Sequence, residues 1–196
     1  TRPYFFIENQ MEGVNPHERL DPYTSTEIIV GHVRDGLELA RRHRLPARVR
    51  AFISEHHGTS RAGFQYERAL ELTGDPELVN EAEFHHQGPK PQSRETALVM
   101  LADGCEAVVR ARHPGTPEEL ARVVDEVFER ILSNGQLDEC PITMRELGIV
   151  KGSFVSTLKG VFHPRLRYPE LADGPDRRIG QVVKPPSEAP VEHSQT

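Results

Sequence analysis

The chain has 196 residues, 36% of them hydrophobic and 28% charged, with a formal net charge of −6 at pH 7. That length supports one domain with a real core, and the acidic balance leaves no broad basic field for nucleic acid. No apolar run reaches the roughly 18 residues of a membrane span, and the opening TRPYFFIENQ lacks the apolar core and cleavage site of a secretory signal. The first residue is not methionine, as expected of a fragment or a processed form. Cys105 and Cys140 stand far apart without a CxxC pattern, which argues against a disulfide framework or a thiolate zinc site and fits a reducing compartment. Ten histidines keep a metal site open.

Residues 1–23 read as irregular, with two prolines in NPHERLDPYTS and a turn at MEGVN. Thr24-Ser25-Thr26-Glu27 has the form of a capping box and predicts a helix running to about Arg44. A second helix is predicted from Pro46 to about His57, where Gly58 is a natural stop. A third covers Arg61 to Leu72, and TGDPE restarts a short helix near Pro76. The loop HHQGPKPQS follows, and Ser93 opens the apolar helix ETALVMLADGCEAVVRA. Thr116-Pro117-Glu118-Glu119 combines a capping box with proline at the first helical position, and that helix ends near SNGQ. Thr143 and Glu146 cap a final helix or helix pair running toward Gly160. Nothing alternates like a strand and nothing repeats. The fold class is all-α, a single compact helical domain, and the polar, proline-rich residues 169–196 are predicted to be a disordered tail.

Helical phase says where the histidines lie. In the second helix Val49, Phe52 and Ile53 mark an apolar face. His56 lies four residues beyond Phe52, and His57 four beyond Ile53, so both lean toward that face. In the first helix His32 sits beside the stripe Ile29, Val33, Leu37 and Ala40. Asp103 interrupts an apolar helix, with Val99 and Ala107 one turn away and no basic residue at helical spacing. A buried carboxylate needs a partner, and a metal ion is one. Each signal also has a plain reading: hydrogen-bonded core histidines, an aspartate paired with a distant arginine, and His85 and His86 solvated or packing a loop. Three inward histidines with an inward aspartate nonetheless match the donors preferred by Fe, Mn or Zn.

The stretches FFIENQ, NPHERLDP, IIVGHVRDGLELA, FISEHHGTS, GPKPQSRETALVMLADGCEAVVR, NGQLDEC and VFHPRLRYP, in that order, carry a family resemblance. Across most of residues 1–169 the chain is similar to the HD-superfamily phosphohydrolase domain of the bacterial seven-transmembrane HD proteins, whose activity is hydrolysis of cyclic di-AMP. The resemblance implies an HD-type helical bundle over residues 1–168 and two divalent transition-metal ions, Fe or Mn, with Zn an alternative. His32, His56 and His57 would ligate one ion and Asp103 the other. A hydroxide held by the metals would be the nucleophile, so no catalytic side chain is assigned.

Lys90 and Arg165 are candidate phosphate contacts, although a solvated lysine or arginine fits either position equally. The family's early histidine and its His-Asp pair, followed by Gly-Lys, have no counterpart here. The expectation is therefore a C-terminal portion of the catalytic domain, weakly active or inactive alone. The resemblance further implies a cyclic dinucleotide substrate, no nucleic-acid polymer, and a cytoplasmic location in an inner-membrane protein, joined to the membrane only through upstream segments. The alternative is a non-catalytic helical regulatory module that binds a nucleotide or a metal.

Overall fold

The structure, a computed structural model, describes Phe5 and residues 16–161. A short 3-10 turn, Pro16–Arg19, leads into the first long helix, α1, Pro22–Arg42. The cap of α1 is not the predicted Thr24 box. Asp21 is the N-cap, its Oδ1 accepts the Thr24 N–H at 2.9 Å, and Pro22 occupies the first helical position, where a missing N–H costs nothing. The Thr26 hydroxyl instead donates back to the Pro22 carbonyl inside the helix.

Helix α2, Ala47–Glu55, and helix α3, Gly63–Thr73, follow, and α3 stops at Gly74 in the left-handed conformation. Two 3-10 turns, Pro76–Leu78 and Glu81–Phe84, take the place of the short helix expected near Pro76. Three longer helices complete the order: α4, Arg94–Arg112; α5, Pro117–Ser133; and α6, Met144–Val161. Among the described residues no strand forms, and the single isolated bridge pairs Arg61 with His85. The all-α expectation therefore describes these residues. The expected tail, residues 169–196, lies outside them, as does the boundary at 168.

The caps of the last three helices follow the sequence closely. Ser93 and Thr96 make a reciprocal capping box on α4. Thr116 caps α5 by accepting the Glu119 N–H, while Glu119 reaches to the Gly115 N–H rather than to Thr116. Thr143 and Glu146 form a complete box on α6. Helices α4, α5 and α6 share one apolar core built on Leu101, Val124, Phe128, Leu137 and Leu147. Burying each large side chain of that set stabilises the fold by roughly 1.5–3 kcal/mol. A second core, Ala69, Val79 and Phe84, sits under α3, with Tyr23 of α1 against Phe84 at 5.1 Å between ring centres. Helix α1 packs on α2 and α3, and α2 packs on α4. The turn after α2 therefore lies between the two cores.

Candidate metal centre

Two backbone carbonyls set the histidine tautomers. His32, half-buried on α1, points its Nδ1 at the carbonyl of Ile29 three residues back. His56 is the C-cap of α2 with helical φ −64° and ψ −19°, so its ring folds over the last turn and its Nδ1 meets the Ile53 carbonyl at 2.9 Å. A carbonyl only accepts, so both Nδ1 atoms carry the proton and both Nε2 atoms present lone pairs. The two Nε2 atoms face each other at 3.1 Å. Two lone pairs at that distance repel unless a cation or a proton lies between them. Two nitrogens each about 2.1 Å from one ion and at right angles would stand about 3 Å apart. His57 completes the set: one ring nitrogen from each of His32, His56 and His57 lies within 4.8 Å of the others. The donors fit one divalent transition-metal ion.

Burial favours the neutral form of His56 and His57. Desolvation, helped by neighbouring imidazoles, pushes the His57 pKa down to about 2 and also lowers that of His56. At neutral pH both therefore offer lone pairs without competition from protons. Asp103 Oδ2 lies 3.7 Å from His57 Nδ1, so α4 brings its carboxylate to the edge of the cluster. The carboxylate is not buried as the sequence suggested: 47% of the side chain is exposed. Val99 is also exposed, because the core face of α4 is the line Ala97, Met100, Leu101, Cys105 and Val109. Asp103 thus approaches the histidines from the rim of α4. Val49, expected on the inner face of α2, is likewise exposed.

The turn carrying the histidine pair is held by a residue far along the chain. Gly58 has φ +52°, and a Cβ there would fall 2.4 Å from Gln136 Oε1 and 2.9 Å from Met100 Cε. Gln136 is buried; its Oε1 accepts the Thr59 N–H at 2.9 Å and its Nε2 donates to the Thr59 hydroxyl at 3.1 Å. This joins the turn to the segment between α5 and α6.

His86 is the residue that sequence reasoning missed. Read as solvated or packing a loop, it is 7% exposed and its ring stacks on His57 at 4.3 Å between centres. Its backbone N–H donates to the Ser60 carbonyl at 2.9 Å, and its ring Nδ1 is buried without a hydrogen-bond partner. Burial and the neighbouring histidines push its pKa down to about 4. Four imidazoles therefore meet here, and the fourth comes from an irregular segment where no periodicity could reveal it. His85 stays half-buried, its Nδ1 donating to the Thr59 carbonyl at 2.8 Å. A cavity of about 620 Å³ adjoins the cluster, lined among others by Tyr23, Val30, Arg34, Gly58 and His86. Lys90 is half-buried in the same loop, its Cα 3.5 Å from where a Gly58 Cβ would stand. Arg165 lies outside the described residues. Among those residues no helix is long and apolar enough to cross a membrane.

Residues 11–108 match the HD domain family. The chain is 42% identical over 169 residues to the cyclic-di-AMP phosphodiesterase PgpH of Bacillus subtilis, covering 86% of this chain and 23% of that protein. It is 36% identical over 172 residues to the Listeria monocytogenes protein of the same name, covering 88% of this chain and 24% of that one. The chain thus spans less than a quarter of the length of these relatives. The crystal structure of the L. monocytogenes PgpH HD domain is 35% identical and matches with a TM-score of 0.75, over 83% of this chain and 74% of that one. The same domain in complex with cyclic-di-AMP gives 0.76 at 36% identity, over 82% and 73%. On the family match, the shared bundle and the sequence identity, the chain belongs to the HD domain family.

Proposed function

We propose that this chain is a metal-dependent phosphodiesterase domain that hydrolyses cyclic di-AMP to the linear dinucleotide. The observation that carries the reading is the pair of facing Nε2 lone pairs on His32 and His56, with His57 closing the set. Similarity to proteins named cyclic-di-AMP phosphodiesterases, and to an HD domain holding that nucleotide, supports the substrate. His32, His56 and His57 hold one ion; Asp103, at the rim beside His57, serves a second. Imidazole donors suit Fe or Mn, with Zn an alternative, better than Mg. Bound divalent ions would supply Lewis acidity toward the phosphodiester and a lowered pKa for water. The chain's own residues do the rest. The Ile29 and Ile53 carbonyls hold two rings in one tautomer and one orientation. Burial favours the neutral form of His56 and His57, and Lys90 contacts a phosphate.

The test is product formation from cyclic di-AMP in Mn- or Fe-containing buffer, using the full natural protein that contains this chain. The expected result is the linear dinucleotide, with turnover falling by at least about 100-fold in His57→Ala, the loss expected when a metal ligand is removed. Wild-type protein that binds metal and cyclic di-AMP yet forms no product would instead identify a binding module. Unchanged turnover in His57→Ala would place the active site elsewhere.

A further inference from the structure

Within SEHHGTS, Glu55 precedes the histidine pair, and its residue type would make it a plausible metal ligand. The structure turns it away from the other two. Glu55 is the last residue of α2, 6% exposed, and it does not belong to the group of donors formed by the three histidines. Its Oε2 accepts the Gln92 N–H at 2.9 Å and the Thr96 hydroxyl at 2.6 Å. Thr96 is fully buried and is the inner partner of the α4 capping box, where its hydroxyl accepts the Ser93 N–H at 3.3 Å. The carboxylate of Glu55 therefore extends that box across to another helix. It also places a negative charge at the N-terminal end of α4, where the helix dipole favours one. A buried carboxylate is costly unless hydrogen-bonded in this way.

The clamp has a geometric consequence. On one side of Glu55, the next two residues are His56 and His57. On the other, Asp103 lies two helical turns along α4 from Thr96, roughly 10 Å at 1.5 Å per residue. The 3.7 Å approach of Asp103 to His57 depends on how α4 sits along α2. Helix α2 has only nine residues, and its Val49 is exposed, so apolar packing constrains that register weakly. We propose that Glu55 is a positioning residue: its hydrogen bonds to Gln92 and Thr96 fix the register of α4 against α2, and with it the distance between Asp103 and the histidine pair. This rests on the reading that both sides of that distance serve metal.

The experiment measures Mn²⁺ affinity of this chain by calorimetry, well below the unfolding temperature of every variant, which is recorded alongside. Glu55→Ala is expected to weaken binding about 10- to 100-fold, the usual cost of losing an outer partner of a metal site. Glu55→Gln keeps a carbonyl acceptor for both donors and is expected to stay within about threefold of wild type. Should Glu55→Ala fail to fold, Thr96→Val removes one of the two hydrogen bonds at nearly constant volume and is expected to weaken binding in the same direction. The deciding measurement is a double-mutant cycle with Asp103→Asn. If Glu55 acts by placing Asp103, Glu55→Ala costs little further affinity once Asp103 is gone. Equal losses in both backgrounds, or wild-type affinity in both Glu55→Ala and Thr96→Val, overturn the positioning role and leave the metal reading intact. Wild-type affinity in Asp103→Asn alone removes Asp103 from the metal site and overturns the proposal with it.

Discussion

At the scale of single residues, three of the four clustered imidazoles were legible because helical phase is a local property. His32, His56 and His57 lie on or directly after helices, so spacing from Ile29, Phe52 and Ile53 says which way they lean. Phase gives no exposure, however. It grouped Asp103 with Val99 and Ala107, and that line of α4 faces outward. Nor does phase reach His86, whose backbone is tied to Ser60 across the fold. Stacking on His57 gives His86 a checkable role in holding that ring. His86→Ala should weaken Mn²⁺ binding about threefold or more, whereas His86→Phe, which keeps an aromatic face on the ring, should bind nearly as wild type; stacked ring pairs contribute roughly 0.5–1.5 kcal/mol. Calorimetric titration of the two variants side by side decides it. An equal loss in both would show that the imidazole nitrogens, not the stack, matter.

At the scale of elements, capping chemistry predicted three of the six helix starts closely, those of α4, α5 and α6, because Ser93, Thr116 and Thr143 accept hydrogen bonds from neighbouring N–H groups. The start of α1 was displaced because Asp21 with Pro22 competes for the same first turn and wins over Thr24. That shift left the phase of His32 unchanged, since phase counts from the apolar stripe and not from the cap. The turn after α2 shows the converse. Gly58 was readable as a stop, but the Thr59–Gln136 hydrogen bond that holds its turn spans 77 positions and has no local signature. Gly58→Ala must both strain a positive φ and displace the Gln136 amide. A loss of roughly 2–6 kcal/mol in unfolding free energy is expected, since backbone strain and overpacking each cost about 1–3 kcal/mol. Thermal or denaturant melts report it. Stability within about 0.5 kcal/mol of wild type, the range of an ordinary surface change, would mean that the turn can relax at no cost.

At the scale of the whole molecule, the absence of alternating segments was enough for the helical class, whereas the apolar cores join residues from several elements, as Ala69 of α3 does with Val79 and Phe84. Their arrangement around the histidine turn was not legible, because it depends on contacts between helices far apart in sequence. If the histidine cluster holds an ion as proposed, its place between α1, α2 and α4 ties folding to metal occupancy. A ligand that binds only the native state adds about 2.7 kcal/mol of stability at 100 times its dissociation constant. Mn²⁺ should therefore raise the unfolding temperature, EDTA should reverse the rise, and neither should change it in His32→Ala. A variant that still responded to Mn²⁺ would show that the stabilising ion binds elsewhere. The carbonyl locks on His32 and His56 also bear on the order of assembly. Each ring is oriented by its own helix, and the two rings are only 24 positions apart. Closing a loop of that size is fast compared with docking Gln136 onto Thr59 across 77 positions. Half of the proposed metal site is thus a property of the α1–α2 hairpin; an ion held there would bind before the rest of the bundle has closed, and so act on the route to the native state as well as on the state itself.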